Sequence, residues 1–122
     1  MAKQASADRT SIVLEDNLKK ALTELLVLSL IEEQDRYIGE LSPEIEERSR
    51  GVIHIEFPYA AIYRISKAEY IAECQKKVAP DGRLRQYYTI TDKGRAYLEE
   101  LRSSYSQFIQ AANQVMTPGF SA

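Results

Sequence analysis

The sequence predicts a mainly α fold with one small β-hairpin, and three observations predict it. An apolar-periodic segment runs from Glu15 to about Gln34. A strong turn signal, Ala79-Pro80-Asp81-Gly82, separates two strand-like runs, and Thr91-Asp92 offers an N-cap to a long amphipathic stretch that reaches about Met116. The length of 122 residues suits one domain. A chain of that size buries roughly two-thirds of its unfolded surface.

Each element follows in order. Residues 1–11 are polar and small without periodicity, which predicts a loose N-terminal arm and no signal peptide. In the first helix Leu14, Leu18, Ala21, Leu25 and Leu28 form one stripe, and Leu22, Leu26 and Leu30 a second, with Val27 and Ile31 beside them. A surface helix ordinarily shows a single stripe. Two stripes imply burial on two sides, more than so short a chain covers alone, and so a partner chain. Glu32-Glu33-Gln34-Asp35-Arg36 predicts a turn, and residues 38–49 a short helix with Leu41 and Ile45 inward. Pro43 must lie in its first turn, or follow Ser42 as N-cap, and Gly51 closes it. The alternation in residues 52–57 predicts a short strand.

Residues 58–69 predict a third helix, with Phe57, Ala61, Ile62, Ile65 and Ala68 on its inner face. Tyr59, Tyr63, Lys67 and Tyr70 line the outer face, with Arg64 alongside. Residues 70–77 and 84–91 pair as the hairpin, and the last helix ends at Thr117-Pro118-Gly119. Three helices followed by a hairpin is the layout of a winged helix-turn-helix, expected over residues 12–94, with a C-terminal dimerisation helix over 95–116 and a tail over 117–122.

In the last helix Leu98, Leu101, Tyr105, Phe108, Ala112 and Val115 step alternately by three and four, the spacing of helices that pack along one another. Either this helix folds back on its own domain or it pairs with the first helix of a second copy. The two-striped first helix favours the second reading: a homodimer built from residues 14–31 and 95–116, with Leu18, Leu22 and Leu25 in the interface.

The formal net charge is −2, which excludes a polybasic protein, yet the charge is polarised. Residues 74–95 carry Lys76, Lys77, Arg83, Arg85, Lys93 and Arg95 against Asp81 and Asp92, a net of +4, which leaves −6 for the remainder. A basic hairpin next to a helix that exposes Tyr59, Tyr63, Arg64 and Lys67 points to duplex DNA, since cations release counterions from phosphates and a helix fits the major groove. Lys76, Lys77, Arg83 and Arg85 are the expected wing contacts.

Catalytic chemistry finds no footing. His54 is the sole histidine, so neither a His-based triad partner set nor a paired-histidine zinc site can form around it, and it reads as a surface or hinge residue. The lone Cys74 excludes an intramolecular disulfide framework and reads as a small strand hydrophobe. The five glycines are scattered singly, with no phosphate-cradling loop, and Glu46-Glu47 and Glu99-Glu100 read as solvated helix surface. No cofactor, metal or membrane span is expected, and the simplest location is the cytoplasm.

These residues resemble the PadR-like transcriptional regulators, in the short form with one C-terminal helix, over about residues 18–116. Leu22 to Glu33 is similar to the first family helix, and Tyr37, Glu40-Leu41 and Ile45 to Ser49 to the second. Tyr59-Ala60-Ala61-Ile62-Tyr63-Arg64-Ile65 resembles the recognition helix. The run from Asp81 to Gly94, with Arg83, Arg85, Tyr87-Tyr88, Thr91 and Gly94, resembles the wing signature. The chain departs from the pattern at Phe57, Ala60 and Glu69, where the family carries a small polar residue, proline and glycine. The resemblance implies a winged-helix homodimer that binds operator DNA, usually as a repressor, with dimer contacts through the first and last helices. Some short members of the family also bind a flat hydrophobic effector between the two last helices, and Leu101, Tyr105 and Phe108 stand in the corresponding stretch, where the alternative is plain dimer core. The alternative is an adaptor that uses Tyr59, Tyr63 and Tyr70 to recognise another protein and no longer reads DNA.

Overall fold

The computed structural model describes the backbone of residues 2–118 and the side chains of residues 13–118. Helix α1 spans Ala2–Glu33. The arm expected to be loose over residues 1–11 is thus helical from Ala2 onward, in a stretch that has neither Gly nor Pro to break it. Farther along, Val27, Leu28, Leu30 and Ile31 are buried, whereas Leu14 and Leu18 stand exposed.

Arg36 ends this helix. Only 5% exposed, it donates from Nε to the Leu30 carbonyl (3.0 Å) and from Nη2 to Glu33 Oε1 (3.0 Å), satisfying a carbonyl that the helix end leaves unpaired. Arg36–Tyr37 also forms strand β1, so Arg36, expected at the end of a turn, belongs instead to the sheet. It pairs antiparallel with Leu84–Ile90 (β3), and β3 pairs in turn with Ile71–Val78 (β2), so the sheet order is β1-β3-β2.

A 3₁₀ turn at Ile38–Glu40 runs into α2 (Leu41–Arg48), with Leu41 and Ile45 buried and Pro43 in the first turn as expected. Gly51 does not close this helix alone. Arg50 takes the first left-handed position (φ 55°), its N–H bonding Glu47 O while Gly51 N–H bonds Glu46 O. Residues 52–57 are not a strand. Their alternation does turn Ile53 and Ile55 inward, but no strand of the sheet pairs with them.

Helix α3 (Tyr59–Lys67) buries Ile62 and Ile65. Two expectations change here. Phe57 precedes the helix and is 71% exposed instead of lying on its inner face. Tyr70 lies beyond the helix and is half-buried, because Glu69 adopts φ 66° and turns the chain: Glu69 N–H bonds Ser66 O and Tyr70 N–H bonds Ile65 O. The Tyr70 ring then stacks on Tyr97 at 4.1 Å.

Helix α4 (Asp92–Met116) starts at Thr91, whose hydroxyl accepts from Gly94 N–H (2.9 Å) and donates to the Glu69 carbonyl (2.7 Å). Gly94 is buried against Tyr70: a Cβ there would lie 2.0 Å from the Tyr70 carbonyl oxygen. Leu98 is fully buried among Leu28, Ile31, Leu41 and Ile65, and Leu101 packs against this core. Arg102 then ties α4 to α1 through Glu32 (2.9 Å) and Ser29 Oγ (3.3 Å).

Candidate nucleic-acid interface

The outer face of α3 exists because Ile62 and Ile65 fix the other face in the core. Tyr59 and Tyr63 project into solvent, and Lys67, one turn on, places its ammonium 3.3 Å from the Tyr63 hydroxyl and over the Tyr63 ring. Phe57 lies parallel to Tyr59, their ring centres 5.8 Å apart, so the leading end of α3 carries an exposed aromatic pair. Sequence periodicity missed Phe57 because the residue belongs to the loop before the helix, where the helical repeat does not apply.

Arg64 is exposed but engaged. Its Nε and Nη2 grip both carboxylate oxygens of Glu24 on α1, and Nη2 also meets the Tyr97 hydroxyl (3.2 Å), which donates to Glu24 Oε1 (2.8 Å). Burial works to raise the Glu24 carboxyl, but the hydrogen bonds from Arg64 and Tyr97 outweigh it and hold it below the ordinary carboxylate value. The same carboxylate pushes Arg64 up. Glu24 and Tyr97 lie 40 and 33 residues from Arg64, and no local spacing announces them.

The wing is β2, β3 and their turn. Its register opposes Lys77 to Arg85 and Lys76 to Gln86, with an irregularity between Glu73 and Lys76 that gives β2 one extra residue. Opposed like charges repel, and the structure relieves this locally. Arg85 binds Asp81 (2.6 Å) and lies over the Tyr37 ring, while Lys77 lies 4.4 Å over Tyr87. Asp81 further accepts from Arg83 N–H (3.0 Å), shaping the turn, and the Arg85 and Arg83 contacts hold its carboxyl below the usual range. Lys76 and Arg83 form no ion pair among the described residues, and Val78 and Leu84 are exposed beside them.

Cys74 is exposed on β2 instead of packed, with Sγ 3.7 Å from Asp35. His54 is a surface residue that bridges Glu46 on α2 and Glu56 (3.8 Å), so Glu46 is paired, not merely solvated. Among the described residues no group of His, Cys, Asp and Glu could hold a metal ion, and no helix is long and apolar enough to cross a membrane.

The residues expected at a dimer interface divide. Leu98 belongs to the chain's own core, Leu25 and Leu101 are half-buried on it, and Leu22 is half-buried. Leu18, Tyr105, Phe108 and Val115 are exposed, the last two at 73% and 83%, and Ala112 is intermediate. Of the expected effector residues, Tyr105 and Phe108 face solvent, so within one chain they enclose nothing.

A helix-turn-helix with its outer face free, flanked by a cationic hairpin, defines a winged-helix module. The sequence matches the transcriptional regulator PadR-like family over residues 27–100, more than half its length, and the chain belongs to that family. It is a DNA-binding transcriptional regulator and not an enzyme. An uncharacterised protein of Lysinibacillus sphaericus is 39% identical over 84 residues, which cover 67% of this chain and 76% of that one. A PadR-like transcriptional regulator of Bacillus cereus shares the fold at TM-score 0.70 and 27% identity, over 83% of this chain and 97% of the other. A PadR family transcriptional regulator of Eggerthella lenta superposes at TM-score 0.75 over 96% and 99% of the two chains; at 20% identity that likeness shows the fold alone.

Proposed function

We propose that the protein is a cytoplasmic repressor that binds a near-palindromic operator as a homodimer. The observation that carries this reading is the exposed outer face of α3 in a fold that also presents a cationic wing. Tyr59, Tyr63 and Lys67, with Arg64 beside them, are exposed on α3, and the wing carries the cations Lys76, Lys77, Arg83 and Arg85, so a helix can enter the major groove while cations reach phosphates. The dimer reading is supported by the second half of α4. No residue from Ser103 to Met116 is charged, yet Tyr105, Phe108, Ile109, Val115 and Met116 are exposed. An exposed apolar strip of this kind marks a contact surface, and α1 with its exposed Leu14 and Leu18 offers the matching one. A flat hydrophobic effector would then lie between the two α4 helices, near Leu101, Tyr105 and Phe108.

Electrophoretic mobility with the protein's own upstream region, at two salt concentrations, tests the reading. A shift that weakens with salt, by a log–log slope of about 0.9 per phosphate contact, supports it. Absence of any shift at low salt supports the protein-binding adaptor. A dimer places its half-sites about one helical turn apart, roughly 34–36 Å. A monomeric mass in sedimentation at micromolar concentration removes the dimer.

A further inference from the structure

Arg64 is the only arginine on α3, and arginine is the side chain best able to read guanine, by presenting two parallel N–H groups to O6 and N7. Here that edge is occupied. Nε and Nη2 are both spent on the Glu24 carboxylate, and Nη2 on the Tyr97 hydroxyl as well, so a single terminal nitrogen, Nη1, is left over. The grip is built from three helices: Glu24 on α1, Arg64 on α3, Tyr97 on α4. Each partner is itself fixed. The Glu24 side chain is only 17% exposed, and Tyr97 stacks on Tyr70 at the foot of the wing.

We propose that Glu24 and Tyr97 are positioning residues for DNA binding: they hold the guanidinium of Arg64 so that it braces α3 and offers only Nη1 to a phosphate, leaving base discrimination to the aromatic end of the helix. The inference rests on the DNA-binding reading above. The Glu24 carboxylate is largely buried, so handing the guanidinium over to a phosphate would leave that charge without its cation, and the brace persists on the DNA. A braced α3 meets every duplex at one angle, and Tyr59, Tyr63 and the stacked Phe57 then carry the preference.

The test is a binding-site selection on random duplexes with the full chain, followed by measurement of specific and non-specific affinities for the wild type, Glu24→Gln, Tyr97→Phe, Arg64→Ala and Arg64→Lys. Glu24→Gln removes the charge that holds the fork and keeps the side-chain shape; it is expected to lower the specific-to-non-specific ratio about tenfold or more without weakening non-specific binding, since one loosened cation is freed toward any phosphate. Tyr97→Phe keeps the stack on Tyr70, deletes the two hydrogen bonds of the hydroxyl (from Arg64 and to Glu24), and is expected to produce a smaller fall of the same kind; it carries the test if Glu24→Gln does not fold. Arg64→Ala removes the brace together with one phosphate contact, so it should lower the ratio at least as far as Glu24→Gln, weaken non-specific binding as well and reduce the salt slope by about 0.9, with the preferred sequence unchanged. Arg64→Lys should not restore the ratio, because an ammonium lacks the planar fork. The inference is overturned if Arg64→Ala changes the preferred base at one position, or if Glu24→Gln and Tyr97→Phe leave the ratio untouched. If the wild type binds no duplex at low salt, the DNA-binding reading itself fails and takes the inference with it.

Discussion

The two halves of α4 share one helix and one apolar spacing, but they live in different surroundings. From Thr91 to Arg102 the helix is capped, pressed onto Tyr70 through Gly94, sunk into the core through Leu98 and tied to α1 through Arg102. From Ser103 to Met116 it has neither charge nor cover, and Phe108 and Val115 stand in solvent. A repeating three-and-four pattern therefore states which side of a helix is apolar and says nothing of what covers it. Stability of the single chain resides in the first half; the proposed association falls to the second.

Substitutions can break that division. Leu98→Ala is expected to destabilise the chain most, by about 2–5 kcal/mol, because a fully buried leucine leaves a cavity the core cannot close. The loss should be independent of protein concentration in thermal melts; a concentration-dependent loss would return Leu98 to the dimer interface. Gly94→Ala should cost about 3 kcal/mol, since the new methyl meets a backbone carbonyl that has little freedom to retreat. Phe108→Ala should do the reverse, weakening association by about 2 kcal/mol while shifting the fold of the isolated chain by less than about 0.5 kcal/mol; sedimentation and denaturant melts at matched concentrations separate the two. Glu69→Gly should stabilise by about 1 kcal/mol, relieving a left-handed residue that carries a side chain, as the denaturation midpoint will show.

Acid sharpens the contrast further. Hydrogen bonds from Arg48, with Arg36 adding to them, hold the Glu33 carboxyl at about 2 against a desolvation cost. A carboxyl lowered on folding stabilises above its unfolded value and loses that contribution as pH falls through the folded one. Stability should therefore decline between about pH 4.5 and 2. Glu33→Gln should flatten that decline in melts followed across pH, whereas the uncharged half of α4 contributes nothing to it.

Much of this was legible in the sequence. The helix order, the hairpin and the Thr91 cap follow from local chemistry, because turns and caps are set by residues a few positions apart. What escaped depends on partners distant in sequence. Two residues, Arg36-Tyr37, become a strand only because Tyr87 and Tyr88 pair with them, and residues 52–57, with which no strand pairs, do not become one. Tyr70 turns inward because Glu69 bends the chain, whereas extending the helical repeat past Lys67 had placed it outside. The basic residues of the candidate interface were all named, but composition could not foresee that Glu24 and Asp81 engage Arg64 and Arg85. Charge counts report cations; geometry decides which of them are free.

The contact between Gly94 and Tyr70 bolts the root of the hairpin to the base of the long C-terminal rod. Seven residues of strand reach about 23 Å, at roughly 3.3 Å each. Over that reach a rocking of the rod by about 5° carries the hairpin tip about 2 Å, comparable to the difference between touching a phosphate and missing it. The crossing angle between two such rods would thereby set the gauge of the pair, much as the rivet of a pair of calipers sets the opening of its jaws.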